Sequence, residues 1–123
     1  SVVLKNEKLV KTAKSKYQKA KEEFGSMQYG SEVYIEPSVA RRGDTIRVNY
    51  QGLLKNSGAE SVYLHYGFDQ WNTPQTIRME RSEDGIFRAD VRVNGNNEMN
   101  FCFKDCANNW DNNSGHNWNI PLH

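Results

Sequence analysis

The chain has 123 residues, enough for one domain with a real hydrophobic core. Apolar residues make up 37% and charged residues 25%, and no run of about 18 apolar residues occurs, so no segment is long and apolar enough to cross a membrane as a helix. Lys plus Arg number 16 and Asp plus Glu 15, for a net charge of +1, which argues against a nucleic-acid backbone as the main partner because phosphate binding needs a basic excess.

The charge is unevenly placed, with seven lysines against three glutamates in residues 1–24. Leu9, Ala13, Tyr17, Ala20 and Phe24 recur at helical spacing and predict one narrow apolar stripe with lysines around it. Gly25 and Ser26 follow as a stop signal. This divides the chain into an N-terminal helix or linker over 1–26 and a module over 27–123. Few large apolar groups lie on the stripe, which suits packing on a neighbour better than lying on a membrane. The chain begins at Ser1 without a signal-peptide pattern. It reads as a piece of a larger protein, so secretion, plastid and cytoplasm all stay open as locations.

After Gly30 the apolar period changes to two. "EVYIEP" is a first predicted strand, followed by "DTIRVNYQG", "SVYLHYG", "QTIRMER", "GIFRADVRVNG", "EMNFCFKD" and "NWNIPLH". Each has one apolar face, and Gly, Asn, Pro and Asp turns separate them. Seven such strands predict an all-β fold, an antiparallel β-sandwich of immunoglobulin-like kind. Cys102 and Cys106 have no partner pair of zinc-site spacing. A local disulfide between them would be geometrically demanding, so two free thiols are expected.

The segment "NNWDNNSGHNW" holds two of the three tryptophans among five asparagines. Trp118 is in phase with Ile120 and Leu122 and is expected in the core. Trp110 and Trp71 fall in loop sequence, and His65 is out of phase with Val62, Leu64 and Tyr66, so all three are expected at the surface. Sugar rings have apolar C–H faces and hydroxyl edges. An indole face covers the first, and Asn, Asp and His bond the second.

"VYLHYGFDQW", "TIRMERSEDGIFRADVRV" and "EMNFCFKDCANNWDNNSGHNW" together resemble the starch-binding carbohydrate-binding modules of family 25 and the related family 53 modules of starch synthases. The resemblance covers residues 32–122. It implies a non-catalytic α-glucan site made of His65, Trp71 and Trp110, with Asp111, Asn112 and Asn113 beside them. The implied partner is starch, glycogen or a maltooligosaccharide, with the module attached to an amylolytic or glucan-synthesising protein and no cofactor.

Other readings of these residues are open. The exposed aromatics could dock a protein partner, although such hot spots favour Arg and apolar rims over asparagine. Asp111, Asn113 and Gly115 have the spacing of a calcium loop, but Leu122 stands at the twelfth position, where an acid is expected. Asn112 to Ser114 is an N-glycosylation sequon. Asp69, Asp84, Asp90, Asp105 and Asp111 offer carboxylates, yet none lies in an apolar stretch that would raise its pKa for glycoside hydrolysis.

Overall fold

The computed structural model describes residues 25–123, and the predicted helix within 1–26 lies outside them except for its stop residues. Ten strands and one short helix follow in order. They are β1 (Met27–Tyr29), β2 (Val33–Glu36), β3 (Thr45–Tyr50), α1 (Leu53–Asn56), β4 (Val62–Phe68) and β5 (Asn72–Arg78). Then come β6 (Glu80–Arg81), β7 (Phe87–Arg92), β8 (Glu98–Asp105), β9 (Trp110–Asp111) and β10 (Trp118–Pro121). All seven predicted strands occur. The additions are the exposed edge strand β1 and the two-residue β9, and the predicted "QTIRMER" strand is divided into β5 and β6.

The strands form two antiparallel sheets, one ordered β1-β2-β3-β7-β6 and the other β10-β8-β4-β5, with β9 paired on β8. Their inward faces share one core. Val33, Ile35, Ile46 and Val48 come from the first sheet, and Val62, Leu64, Phe101 and Phe103 from the second. Tyr50 and Phe103 stack across the gap with ring centroids 4.0 Å apart. Alternation produces this directly, because a period of two sends every second side chain to one face. Met79 marks where the chain crosses from one sheet to the other. Its side chain is buried, and its N–H bonds the Val62 carbonyl at 2.9 Å.

The core explains Trp118. Its ring is buried, lies parallel to Phe101 at 6.0 Å and meets Phe103 edge-on at 5.2 Å. The expected free thiols are also found, with Cys102 buried and Cys106 exposed. Burial pushes the Cys102 thiol up to about 11.

Candidate carbohydrate-binding site

The site builds on the outer face of the second sheet. Tyr63 and His65 of β4 point away from the core, because Val62, Leu64 and Tyr66 point into it. His65 sits between Thr76 of β5 and Cys102 of β8. Its Nδ1 is 2.8 Å from Thr76 Oγ1. Burial, and then the charge of Lys104, lower the His65 pKa below its ordinary value of 6.5. The ring is therefore neutral at pH 7, with one nitrogen donating and the other accepting.

Trp71 reaches His65 through an unusual turn. Asp69, Gln70 and Trp71 all have left-handed backbones, with φ of 50°, 68° and 62°. Three consecutive non-glycine residues there are disfavoured by roughly 1–2 kcal/mol each, so the surroundings must hold them. Asp69 is the main clamp. Its carboxylate accepts the N–H groups of Asn96 at 2.9 Å, Asn97 at 2.7 Å and Glu98 at 3.2 Å. These backbone donors hold its pKa below the usual carboxylate range. Asn72 Nδ2 bonds the Asp69 carbonyl at 2.8 Å, and Asn100 Oδ1 accepts the Trp71 N–H at 2.9 Å. Gly67 lets the turn fold back, since a Cβ there would stand 2.9 Å from Trp71 Cα.

Trp110 arrives from the other side. It lies opposite Lys104 on β8 and is 47% exposed. Lys104 Nζ lies 5.6 Å from the Trp110 centroid and 5.8 Å from that of Tyr63. A cation near both rings favours their orientation through the ring quadrupoles. The turn before Trp110 is closed by Asp105, whose carboxylate accepts Ala107 N at 2.9 Å, Asn109 N at 2.8 Å and Asn109 Nδ2 at 2.8 Å. His65 stacks on Trp71 at 5.5 Å with planes 25° apart, and meets Trp110 edge-on at 5.6 Å and 85°. The two indoles are therefore far from coplanar.

Asp111 differs from the expectation that it lines the site. Strand alternation in β9 turns Trp110 outward and Asp111 inward. Its Oδ2 accepts the Tyr50 hydroxyl at 2.6 Å, and its Oδ1 accepts Asn113 N at 3.3 Å. Asn112 and Asn113 are exposed and also shape their own loop. Asn112 Oδ1 accepts Gly115 N at 2.9 Å, and Asn113 Nδ2 donates to the Asn117 carbonyl at 3.0 Å. Asn113, Ser114 and Asn117 have φ of 55°, 56° and 57°, a region that asparagine tolerates better than most residues.

The structure thus brings His65, Trp71 and Trp110 together and puts Asn112 and Asn113 on the adjoining loop. It adds Thr76, Lys104, Asn100 and Gly67, which the sequence reading did not single out. The only sequence signal for them is cross-strand register relative to His65 and Trp71.

The other chemistries have little to stand on. No group of three His, Cys, Asp or Glu residues fit to hold a metal occurs among the described residues. Asp69 and Asp105 have lowered pKa values, and a side-chain bond from Ser82, with further donors, takes Asp84 down to about 2. Asp90 is paired with Arg47 at 2.8 Å. A glycosidase acid requires a raised pKa, the opposite condition to that of Asp69, Asp84 and Asp105.

Residues 46–101 match the model of a starch/carbohydrate-binding module of family 53. An alpha-amylase of Clostridium acetobutylicum is 32% identical over 92 residues, covering 74% of this chain and 12% of the relative. The chain thus spans 12% of the length of that curated relative. No solved structure matches the chain significantly. By these matches the chain is similar to a non-catalytic starch-binding carbohydrate-binding module and to a segment of an alpha-amylase. The matched segment holds His65, Trp71 and Asn100, and Trp110 lies beyond it.

Proposed function

We propose that this chain binds α-glucans (starch, glycogen or maltooligosaccharides) on the surface formed by His65, Trp71 and Trp110. Asn112 and Asn113 bond sugar hydroxyls at its rim, and Asp111 serves from below by fixing the Trp110 loop to Tyr50. The observation that carries this reading is the ring geometry, with His65 stacked on Trp71 and edge-on to Trp110. An α-1,4 chain turns as it runs, so neighbouring glucose units meet two inclined indoles. A flat β-1,4 chain suits coplanar rings.

The energies are adequate. About 60 Å² of sugar face buried on each indole gives ~1.5 kcal/mol at ~25 cal/mol per Å². A few hydroxyl bonds at ~1 kcal/mol each bring the total toward ~5–7 kcal/mol, a sub-millimolar to micromolar site. Pre-set rings limit the ordering cost on binding.

The module is of family 53 with family 25 as its relative, an immunoglobulin-like sandwich over 27–123 preceded by a linker over 1–26. It tethers an amylolytic or glucan-synthesising protein to polysaccharide, as the amylase relative suggests. Calorimetry with maltoheptaose and cellohexaose tests the reading. Maltoheptaose should bind, and Trp110→Ala should abolish that binding. Equal heats from both sugars would refute α-glucan selectivity.

A further inference from the structure

Asn100 is 3% exposed, near the middle of β8, with Gly67 opposite on β4 and Asn119 opposite on β10. A buried amide is unfavourable unless its polar atoms are satisfied, and an apolar side chain of similar size would fill the same space without that demand. Both ends of the Asn100 amide are engaged. Oδ1 accepts the Trp71 N–H at 2.9 Å, and Nδ2 donates to Asn119 Oδ1 at 2.7 Å. Asn119 Nδ2 then donates to the His116 carbonyl at 3.2 Å. Three hydrogen bonds in series therefore run from the backbone of the Trp71 turn to the backbone of the loop carrying Asn112 and Asn113.

Both ends of this chain are places where the backbone is disfavoured on its own. Trp71 ends three left-handed residues, and residues 113–115 are left-handed as well. The series of amides joins them through a buried residue of β8, which is paired on both sides by β4 and β10.

We propose that Asn100 is a positioning residue of the sugar site and that, with Asn119, it fixes the Trp71 ring relative to the loop of Asn112 and Asn113. The inference rests on the α-glucan reading above. A glucan that stacks on Trp71 and bonds the loop needs the two at one spacing, and a pre-set spacing removes an ordering cost from binding. Asn119 is exposed, but its loss leaves the buried Asn100 Nδ2 without an acceptor, so cutting the series there should lower the melting temperature modestly. A purely structural role for Asn100 would leave the spacing, and hence the affinity, unchanged by that cut.

The test uses the full chain, with Asn119→Ala as the main variant and Asn100→Asp as the second. Asp at 100 can still accept the Trp71 N–H but cannot donate to Asn119. Three quantities are read: the melting temperature, the maltoheptaose affinity, and the ring-current shift that Trp71 imposes on the His65 ring protons in the absence of sugar. Asn119→Ala should lower the melting temperature modestly while the chain stays folded, weaken maltoheptaose binding by about tenfold and move the His65 ring signals. In a Trp71→Ala background Asn119→Ala should have no further effect on affinity, because the ring it positions is gone. Asn100→Asp should show the same change in the His65 signals even if it melts earlier. Unchanged affinity and unchanged His65 signals in Asn119→Ala would overturn the proposal, as would an equal loss of affinity with and without Trp71. If the parent chain fails to bind maltoheptaose, the α-glucan reading falls, while the His65 signals still report whether the amide series positions Trp71.

Discussion

Trp110 and Trp118 lie eight residues apart in one asparagine-rich segment, and they end in opposite environments. Trp110 is 47% exposed and Trp118 is 5% exposed. Residue type and local composition do not distinguish them. Phase against β8 does. Trp110 stands opposite Lys104, which faces out, and Trp118 stands opposite Phe101, which faces in. The asparagines between them supply a turn that lets one strand stop and the next begin in the other phase. A polar segment can therefore carry a core residue and a surface ring together, provided that short pairing on the same strand fixes both.

The largest test of that contrast compares the two rings as alanine variants. Trp118→Ala should cost about 3–5 kcal/mol of stability, since it empties a space beside Phe101 and Phe103. Trp110→Ala should leave the melting temperature nearly unchanged and remove binding of maltoheptaose. Chemical denaturation of both variants beside calorimetry would show this. A large stability loss in Trp110→Ala would place that ring in the core's energetics and break the contrast.

A second, smaller effect concerns what holds Trp110 in its phase. Asp111 takes the Tyr50 hydroxyl at 2.6 Å, and Leu54 N donates to the same oxygen at 3.0 Å. Asp111→Ala should leave the buried phenol without its acceptor, at about 1–3 kcal/mol. Asp111→Asn keeps an acceptor and should lose less. In a double-mutant cycle with Tyr50→Phe the two losses should be strongly non-additive, because each removes the same bond. If Asp111→Asn instead kept full stability and lost sugar binding, Asp111 would be a sugar ligand and not a brace beneath Trp110.

How far this could be read from sequence follows the length and exposure of each element. The seven longer strands have an inward face that must be apolar, and that face shows as a period of two. β9 has two residues and no period to show. β1 is an exposed edge, so Met27, Gln28 and Tyr29 carry no clear inward face. The β5–β6 break at Met79 was hidden because the apolar alternation of Ile77 and Met79 runs straight through the crossing between sheets. Within the candidate site, the outward direction of His65 was legible from its phase, and the loop positions of Trp71 and Trp110 from their polar neighbours. The left-handed turn was not, because only Asp69 is of a type that tolerates it well and Gln70 and Trp71 are not. What holds it is the Asp69 carboxylate on the loop before β8 and Asn100 across the sheet, both contacts fixed by register. The inward turn of Asp111 was not legible for a related reason, since a composition rich in hydroxyl-binding side chains does not say which of them a short strand turns inward.

The smallest expected effect is the pH response of His65, and it sharpens the contrast at the ring that stacks on Trp71 and meets Trp110 edge-on. Burial is the main cause of its lowered pKa, with the Lys104 charge second. The native state therefore prefers the neutral ring more than the unfolded chain does. Below the ordinary value of 6.5 the unfolded chain takes up the proton first. The stability held at higher pH is lost progressively as pH falls from 6.5 through the folded-state pKa. The ring is only partly buried, so the change in melting temperature should be slight. Binding should respond in the same direction, because a protonated His65 loses the acceptor nitrogen it offers a sugar hydroxyl and costs more to cover with a sugar ring. Maltoheptaose affinity should thus be level above pH 7 and weaken toward pH 5, and His65→Gln should flatten that slope. Lys104→Gln should move the His65 titration, followed by NMR, upward toward its ordinary value, since one of the two causes is then gone. A His65 titration midpoint above 6.5 in the parent chain would reverse the predicted sign and show that the ring pair stabilises the imidazolium instead.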